Sequence, residues 1–358
     1  MKRFPFLYSD RQRSIELAPL RRSARSSFLR SWEALLVLLL LIAIGIGSSL
    51  SPYFLTGFNI ASLTRDLMEK AIMALAMTLI IITGEIDLSV ASVLGLASVV
   101  LGAAWRAGVP LWLGILLVLI LGAIAGLING LLVTRLGLPS LVVTLGTLGL
   151  YRGLAYVVLG DQAVSNFPSD FTAFGFGSIP GTLIPWPFVV FVLLALVFIG
   201  VLHWSWIGRQ IYAVGNNKEA ARFAGIRVER LKLWLFVISG LLAALAGIIY
   251  TARFSSARPD NALGFELDVV TIVLLGGVNI FGGRGTLPGV ILSLFIIGAV
   301  RDALSLVSIS GDIQNIVVGI LLIFSVLGPN IAQSIQATLA RRRLAASTSV
   351  SRPPTPVG

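Results

Sequence analysis

LWLGILLVLILGAIAGLINGLLVT, residues 111–134, runs for 24 residues without a charged side chain. A helix rises 1.5 Å per residue, so about 20 apolar residues cross a hydrocarbon core about 30 Å thick. This stretch reads as a membrane-spanning helix. Working outward with the same ruler, spans fall at 32–50, 67–83, 89–104 and 139–159, then at 186–203, 233–253, 265–281, 286–304 and 312–330. The expected fold is an all-α polytopic membrane protein of about ten transmembrane helices.

Composition agrees. Of 358 residues, 56% are hydrophobic and 12% charged, against about 25% charged in soluble domains. Mean hydropathy is +0.95. A soluble enzyme, a disordered chain and a secreted disulfide scaffold are excluded. There is no cysteine and a single histidine, His203, so neither a thiolate nor a histidine metal cluster is expected, and no cofactor.

Three regions follow. Residues 1–31 carry basic side chains from Lys2 to Arg30 and precede the first apolar run directly. A cleaved signal peptide would show the same order, but no small-residue cleavage site closes the run, so it reads as a first transmembrane helix. Residues 32–330 form the transmembrane domain, and 331–358 a cytoplasmic tail whose Ser, Thr and Pro content reads as partly disordered. With the N-terminus inside, about 20 of the 27 Lys and Arg fall on cytoplasmic segments. An even count returns Arg341, Arg342 and Arg343 to that side, so both termini are expected in the cytoplasm. The net charge of +11 thus reads as orientation against membrane lipid rather than as nucleic-acid binding. Residues 160–185 read as an excursion on the opposite side.

A nucleotide-binding G-x-x-x-x-G-K-[ST] loop is ruled out, because none of Lys2, Lys70, Lys218 and Lys232 follows Gly or precedes Ser or Thr. Asp66, Glu69, Glu85, Asp87, Asp260, Glu266, Asp268, Asp302 and Asp312 fall near expected helix ends. That argues against an ion-coupled carrier, which would need carboxylates within the bundle. The helix interiors offer mainly Ser98, Asn129, Thr144 and Thr147. The last three suit a path for a neutral polar solute, or simply hydrogen bonds between helices. The energy source is therefore expected on another subunit.

The most informative polar stretch is IGRQIYAVGNNKEAARFAGI, residues 207–226. Asn216 is expected to cap a helix over 217–224, with Glu219 completing a capping box and Gly225 stopping it. Ala220, Ala221 and Phe223 give this helix an apolar surface, between Lys218 and Arg222. A helix so short is marginal alone, so it must rest on its own bundle or fit the groove of a cytoplasmic partner.

These residues carry a family resemblance. Gly208-Arg209, Tyr212-Ala213, Gly215, Asn216, Ala220-Ala221 and Gly225-Ile226 resemble the ATPase-coupling segment of bacterial ABC-transporter permeases, in the ribose-type branch that imports sugars and autoinducer-2. Thr83-Gly-Glu-Ile-Asp-Leu-Ser-Val-Ala-Ser92 resembles that branch's T-G-G-I-D-L-S-V-G-S, with Glu85 and Ala91 replacing glycines. Leu275-Gly-Gly-Val-Asn-Ile-Phe-Gly-Gly-Arg-Gly-Thr-Leu-Pro-Gly289 resembles its L-G-G-x-x-I-x-G-G-x-G-x-x-x-G. Residues 256–268 look most like permeases for rhamnose or autoinducer-2. The branched-chain amino-acid permeases are the nearest rival in mechanism.

The resemblance implies a type II-like importer permease in the bacterial inner membrane, working by alternating access. Its implied partners are cytoplasmic ABC ATPase subunits, a periplasmic solute-binding protein, and a second permease copy or paralogue. Gly84, Glu85, Asp87 and Ser89 read as a turn whose Asp87 or Ser89 caps the next helix, or as part of a gate. Gly276, Gly277, Gly282, Gly283 and Gly285 read as a tight broken-helix turn, or as helix packing. The turns around Gly84 and Gly283 also look like weak internal repeats.

Overall fold

The computed structural model describes residues 32–323. The expectations for the basic N-terminal segment and for the C-terminal tail lie outside these residues. Among the described residues the helices in chain order are α1 Trp32–Leu50, α2 Gly57–Ile82, α3 Val90–Arg106, α4 Leu111–Thr134, α5 Ser140–Leu159, α6 Ser169–Phe176 and α7 Trp186–Ile199. They continue with α8 Trp206–Asn216, α9 Lys218–Phe223, α10 Val228–Phe254, α11 Phe265–Leu275, α12 Leu287–Leu306 and α13 Gly311–Ile323.

An apolar helix answers each expected span. Six are long and apolar enough to cross a membrane by themselves: α1, α4, α5, α7 with its π-helical extension to Trp204, α10 and α12. The others differ for visible reasons. Helix α2 starts ten residues before the expected 67, with Arg65, Asp66, Glu69 and Lys70 inside it. Glu69 therefore sits mid-helix and fully buried, not near a helix end. This corrects the sequence reading; Arg253 pays for its burial with a 2.8 Å ion pair. Helix α11 stops at Leu275, six residues short of the expected 281, because the glycine-rich run turns the chain there.

Helix α10 is the most buried of the candidate spans and packs against α2, α3 and α4. A Cβ added at Gly126 would lie 2.2 Å from the Phe236 carbonyl oxygen, and one at Gly240 would lie 2.1 Å from that of Gly122. The Gly122-x3-Gly126-x3-Gly130 stripe in the opening sequence is thus a close-approach face for α10. Helices α1, α2, α11 and α12 form the other half of the bundle.

The loops sort by end. The 83–89 turn, the 135–139 turn, the α8–α9 segment and the 276–286 turn gather at one end, where the Ser140 hydroxyl accepts from Ile86 N–H at 3.1 Å and Gly283 N–H donates to Ile82 at 2.8 Å. Opposite them, Val164 pairs with Ala257, Trp105 donates to the Asn166 carbonyl and Arg65 to that of Phe176. This alternation is the one that the span assignment requires.

Candidate functional site

The three motifs meet at one end of the bundle. Helix α8 begins at Ser205, whose hydroxyl accepts from the amides of Ile207 and Gly208. Its Tyr212 hydroxyl donates to the Gly285 carbonyl at 2.7 Å. Burial pushes that hydroxyl's pKa above its ordinary 10.0, so it remains a donor. Three residues on, a Cβ at Gly215 would lie 1.8 Å from the Ile82 carbonyl oxygen and 2.5 Å from Gly283 N. Only glycine permits this approach.

The 276–286 turn receives α8 from the other side. Gly282 and Gly283 take φ of +87° and +77°, open to glycine at little cost. Gly282 N–H donates to the Asn279 carbonyl at 2.9 Å and Gly283 N–H to Ile82 at 2.8 Å. Gly84 and Gly277 also take positive φ, as does Gly285. Gly289 and Gly276 mark the crossing of α12 and α11, since a Cβ at Gly289 would meet the Gly276 oxygen at 2.2 Å. The start of α1 closes the knot, with Trp32 Nε1 donating to Leu275 at 2.9 Å and Thr286 to Glu33 at 3.0 Å. The two turns that looked like repeats are therefore in contact.

From this knot α9 projects. Its N-cap is Asn217, not Asn216: the Asn217 side chain accepts from Ala220 N–H at 2.9 Å, while Asn216 ends α8 and donates to the Tyr212 carbonyl. The helix is accordingly Lys218–Phe223, shorter than the expected 217–224. Glu219 forms no reciprocal capping bond; it accepts from Arg222 at 3.2 Å. Arg222 also pairs with Glu229, which raises its pKa further. Gly225 stops the helix at φ +86°, as its sequence position requires.

Ala221 is not on the surface. It is buried with Val214 and Val228 in a small apolar cluster that seats α9 on α8 and α10. Ala220 is exposed, and Phe223 is 91% exposed. The side chains of Arg209, Lys218, Arg227 and Arg230 in and beside the same segment are also exposed, as is Glu219. Helix α8 itself was missed by the sequence reading, although Ile207, Ile211 and Val214 at helical spacing could have shown it.

Glu85 is answered by Lys232, and the pair is largely withdrawn from solvent. Asp87 is also buried, and its role is not the expected cap. One carboxylate oxygen accepts from the Ser89 amide at 3.1 Å and hydroxyl at 2.6 Å, the other from the Ser239 hydroxyl at 2.8 Å. Ser89 opens α3 without a side-chain cap bond and accepts from Asn129 at 2.8 Å. Asp87 thereby joins α3, α4 and α10. Thr144 donates to Ser140 at 2.9 Å and Thr147 to Thr144 at 3.5 Å. All three residues assigned to a solute path are buried, and each donates a hydrogen bond within the bundle.

Comparison with known proteins gives the family. Residues 59–326 match the family described as "Branched-chain amino acid transport system / permease component". The chain is 34% identical to the autoinducer 2 import system permease protein LsrD of Yersinia enterocolitica over 322 residues, covering 87% of this chain and 96% of that one. It is also 34% identical to the Escherichia coli K12 protein of that name, over 87% of this chain and 96% of that one. For the Klebsiella pneumoniae protein the identity is 34%, over 84% of this chain and 92% of that one. No solved structure matches. This multi-pass membrane protein belongs to the branched-chain amino acid transport system permease family.

Proposed function

We propose that this chain is the permease subunit of a binding-protein-dependent ABC importer for an autoinducer-2-like or sugar solute. The observation that carries the reading is the seating of the α8–α9 hairpin. Phe223 stands out on α9, while α8 rests by backbone contact at Gly215 on the ends of α2 and of the 276–286 turn. A push on α9 would be delivered to α2, α11 and α12 together, with no flexible side chain between them to absorb it.

In this reading cytoplasmic ATPase subunits receive Phe223 in a groove, and the basic rim of Arg209, Lys218 and Arg227 steers them. Gly84, Glu85, Asp87 and Ser89, with the 276–285 glycines, transmit the movement. A periplasmic binding protein delivers solute, and a second permease copy or paralogue completes the path. The chain lies in the bacterial inner membrane with both termini cytoplasmic. Relatives named for autoinducer 2 import favour that solute over rhamnose and over amino acids.

The test is uptake. The permease is co-expressed with candidate ABC ATPase, binding-protein and permease subunits from its own source in a host that lacks autoinducer-2 and rhamnose uptake, and depletion of each solute from the medium is followed. ATP-dependent depletion of autoinducer-2 supports the reading. Failure of a co-purified ATPase to appear on a tagged chain would refute it.

A further inference from the structure

The segment between α10 and α11, residues 255–264, descends into the bundle beside α3. A Cβ added at Gly102 would lie 2.6 Å from the Ala257 side chain, and one at Gly95 would lie 3.2 Å from the Asn261 carbonyl oxygen. The Asn261 side chain donates to the Ser98 hydroxyl at 2.9 Å. Arg152 of α5 holds the segment there. Its guanidinium donates to the Asn261 carbonyl at 2.8 Å, to that of Pro259, and to that of Ala91 at 3.2 Å. Non-helical backbone persists at membrane depth only inside protein or beside water.

Two lengths fix that depth. Trp105 ends α3 and Trp32 opens α1, at opposite ends of the bundle, where interfacial tryptophans are expected. Gly95 is ten residues from Trp105 along α3, about 15 Å at the helical rise. From the other end, the Leu275 carbonyl accepts from Trp32. Helix α11, which ends there, has 11 residues, or about 16 Å. Both lengths put residues 260–264 near the middle of a core about 30 Å thick, so α11 is a half-helix that starts at mid-depth.

What this segment exposes does not suit lipid. Ala257, Pro259, Asn261 and Ala262 are buried, whereas Arg258 and Asp260 pair at 3.0 Å with side chains 52% and 44% exposed. Glu266, in the first turn of α11, is half-buried, and its charge acts on Arg152. Asp268 is already engaged in a triad with Lys70 and Arg301, at 2.6 Å to each. The exposed face of α1 at the same depth is apolar, with Leu38, Leu41, Ile42 and Ile46. Charged side chains within a membrane face a water-filled cavity or the protein interior.

We propose that Arg258 and Asp260 line the aqueous path at mid-depth and bind the solute there, in place of the buried Asn129, Thr144 and Thr147. The guanidinium only donates and the carboxylate only accepts, while a hydroxyl does both. The pair therefore fits a neutral polyhydroxylated solute, which bridges it without stranding a charge. Helix α11 runs from this segment to the glycine knot, so movement of the knot reaches the pair along one helix. The proposal rests on the transport reading above for its purpose, but not for its test.

The chain has no cysteine, so a single thiol can report on water. Leu263→Cys probes the segment and Leu41→Cys the apolar face of α1; both leucines are 61% exposed. In membranes holding the assembled importer, without nucleotide and with ATP and vanadate, each variant is treated with an impermeant trimethylammonium-bearing methanethiosulfonate, which reacts with a hydrated thiolate. Leu263→Cys is expected to be modified in at least one state and Leu41→Cys in neither. Autoinducer-2, ribose, rhamnose and inorganic phosphate at millimolar concentration then test protection of Leu263→Cys. Protection by autoinducer-2 or a sugar is expected, and its loss on adding Arg258→Gln, Asp260→Asn or both. The double variant strands no charge and guards against a folding defect in either single one.

A Leu263→Cys thiol unmodified in both states would overturn the proposal, whether lipid or a second copy of the chain covers it. So would protection by none of the four or by phosphate alone, or protection that survives the double variant. If uptake of autoinducer-2 and sugars fails while modification and protection persist, the site stands and the transport reading falls.

Discussion

Lys232, on the first turns of α10, forms an ion pair with Glu85 in the turn after α2, across 147 positions of sequence. The side chains are 6% and 16% exposed. The pair ties the 83–89 turn to the first turns of α10.

Breaking one partner strands the other. Glu85→Gln or Lys232→Met is expected to cost about 3–5 kcal/mol of stability, whereas the double variant recovers most of it. Thermal unfolding of the purified chain in mild detergent measures this. Equal stability of all four proteins would show that the pair contributes nothing.

Gly215→Ala forces a methyl group against the Ile82 carbonyl. Uptake should fall by at least about tenfold, since packed backbones separate rather than compress. Gly146→Ala on α5 is the control: nothing lies within 4 Å of its added Cβ, and stability should rise by about 0.5–1 kcal/mol. A Gly215→Ala protein with full uptake would remove the rigid seat from the argument.

Phe223→Asp and Ala221→Arg should fail differently. Phe223 touches solvent almost entirely, so its replacement should leave folding intact while abolishing ATP-driven uptake and co-purification of the ATPase. Ala221 is 4% exposed, and a charged side chain there should unseat α9 and destabilise the segment. Limited proteolysis between residues 216 and 228 distinguishes the two. Similar cleavage of the two variants would contradict the burial difference.

Tyr212→Phe removes one hydrogen bond to Gly285, worth about 0.5–1.5 kcal/mol. The sign of its pH dependence follows from burial. The hydroxyl's pKa is raised on folding, so its contribution is complete below the ordinary value of 10.0 and fades only as pH climbs past the raised one. The stability difference between Tyr212→Phe and the parent should therefore be flat from pH 6 to 9, as read by unfolding at several pH values.

Asp87→Leu should be the most disruptive single change in the 83–89 turn. It leaves the Ser89 amide and hydroxyl and the Ser239 hydroxyl without their acceptor, at about 1–3 kcal/mol for each stranded group. Asp87→Asn keeps one acceptor oxygen and should lose less. The order of unfolding temperatures, parent above Asn above Leu, is the readout.

The sequence alone determined the class of the protein, its run of apolar helices and the positions of the loops, because span length and charge are local quantities set by the thickness of a bilayer. It marked the three motifs, since glycine and capping residues act on their own backbone. Local signals also placed the cap one residue early, at Asn216, and put Ala221 on a surface. Which motifs touch was settled only by the tertiary structure. Nothing in the spacing of Ile82, Gly215 and Gly283 says that their backbones meet, nor that Lys232 answers Glu85 or that Lys70, Asp268 and Arg301 form one triad. Those contacts join residues distant in the chain, and they are fixed by how close glycine lets the helices come and by the cost of leaving a buried charge without a partner.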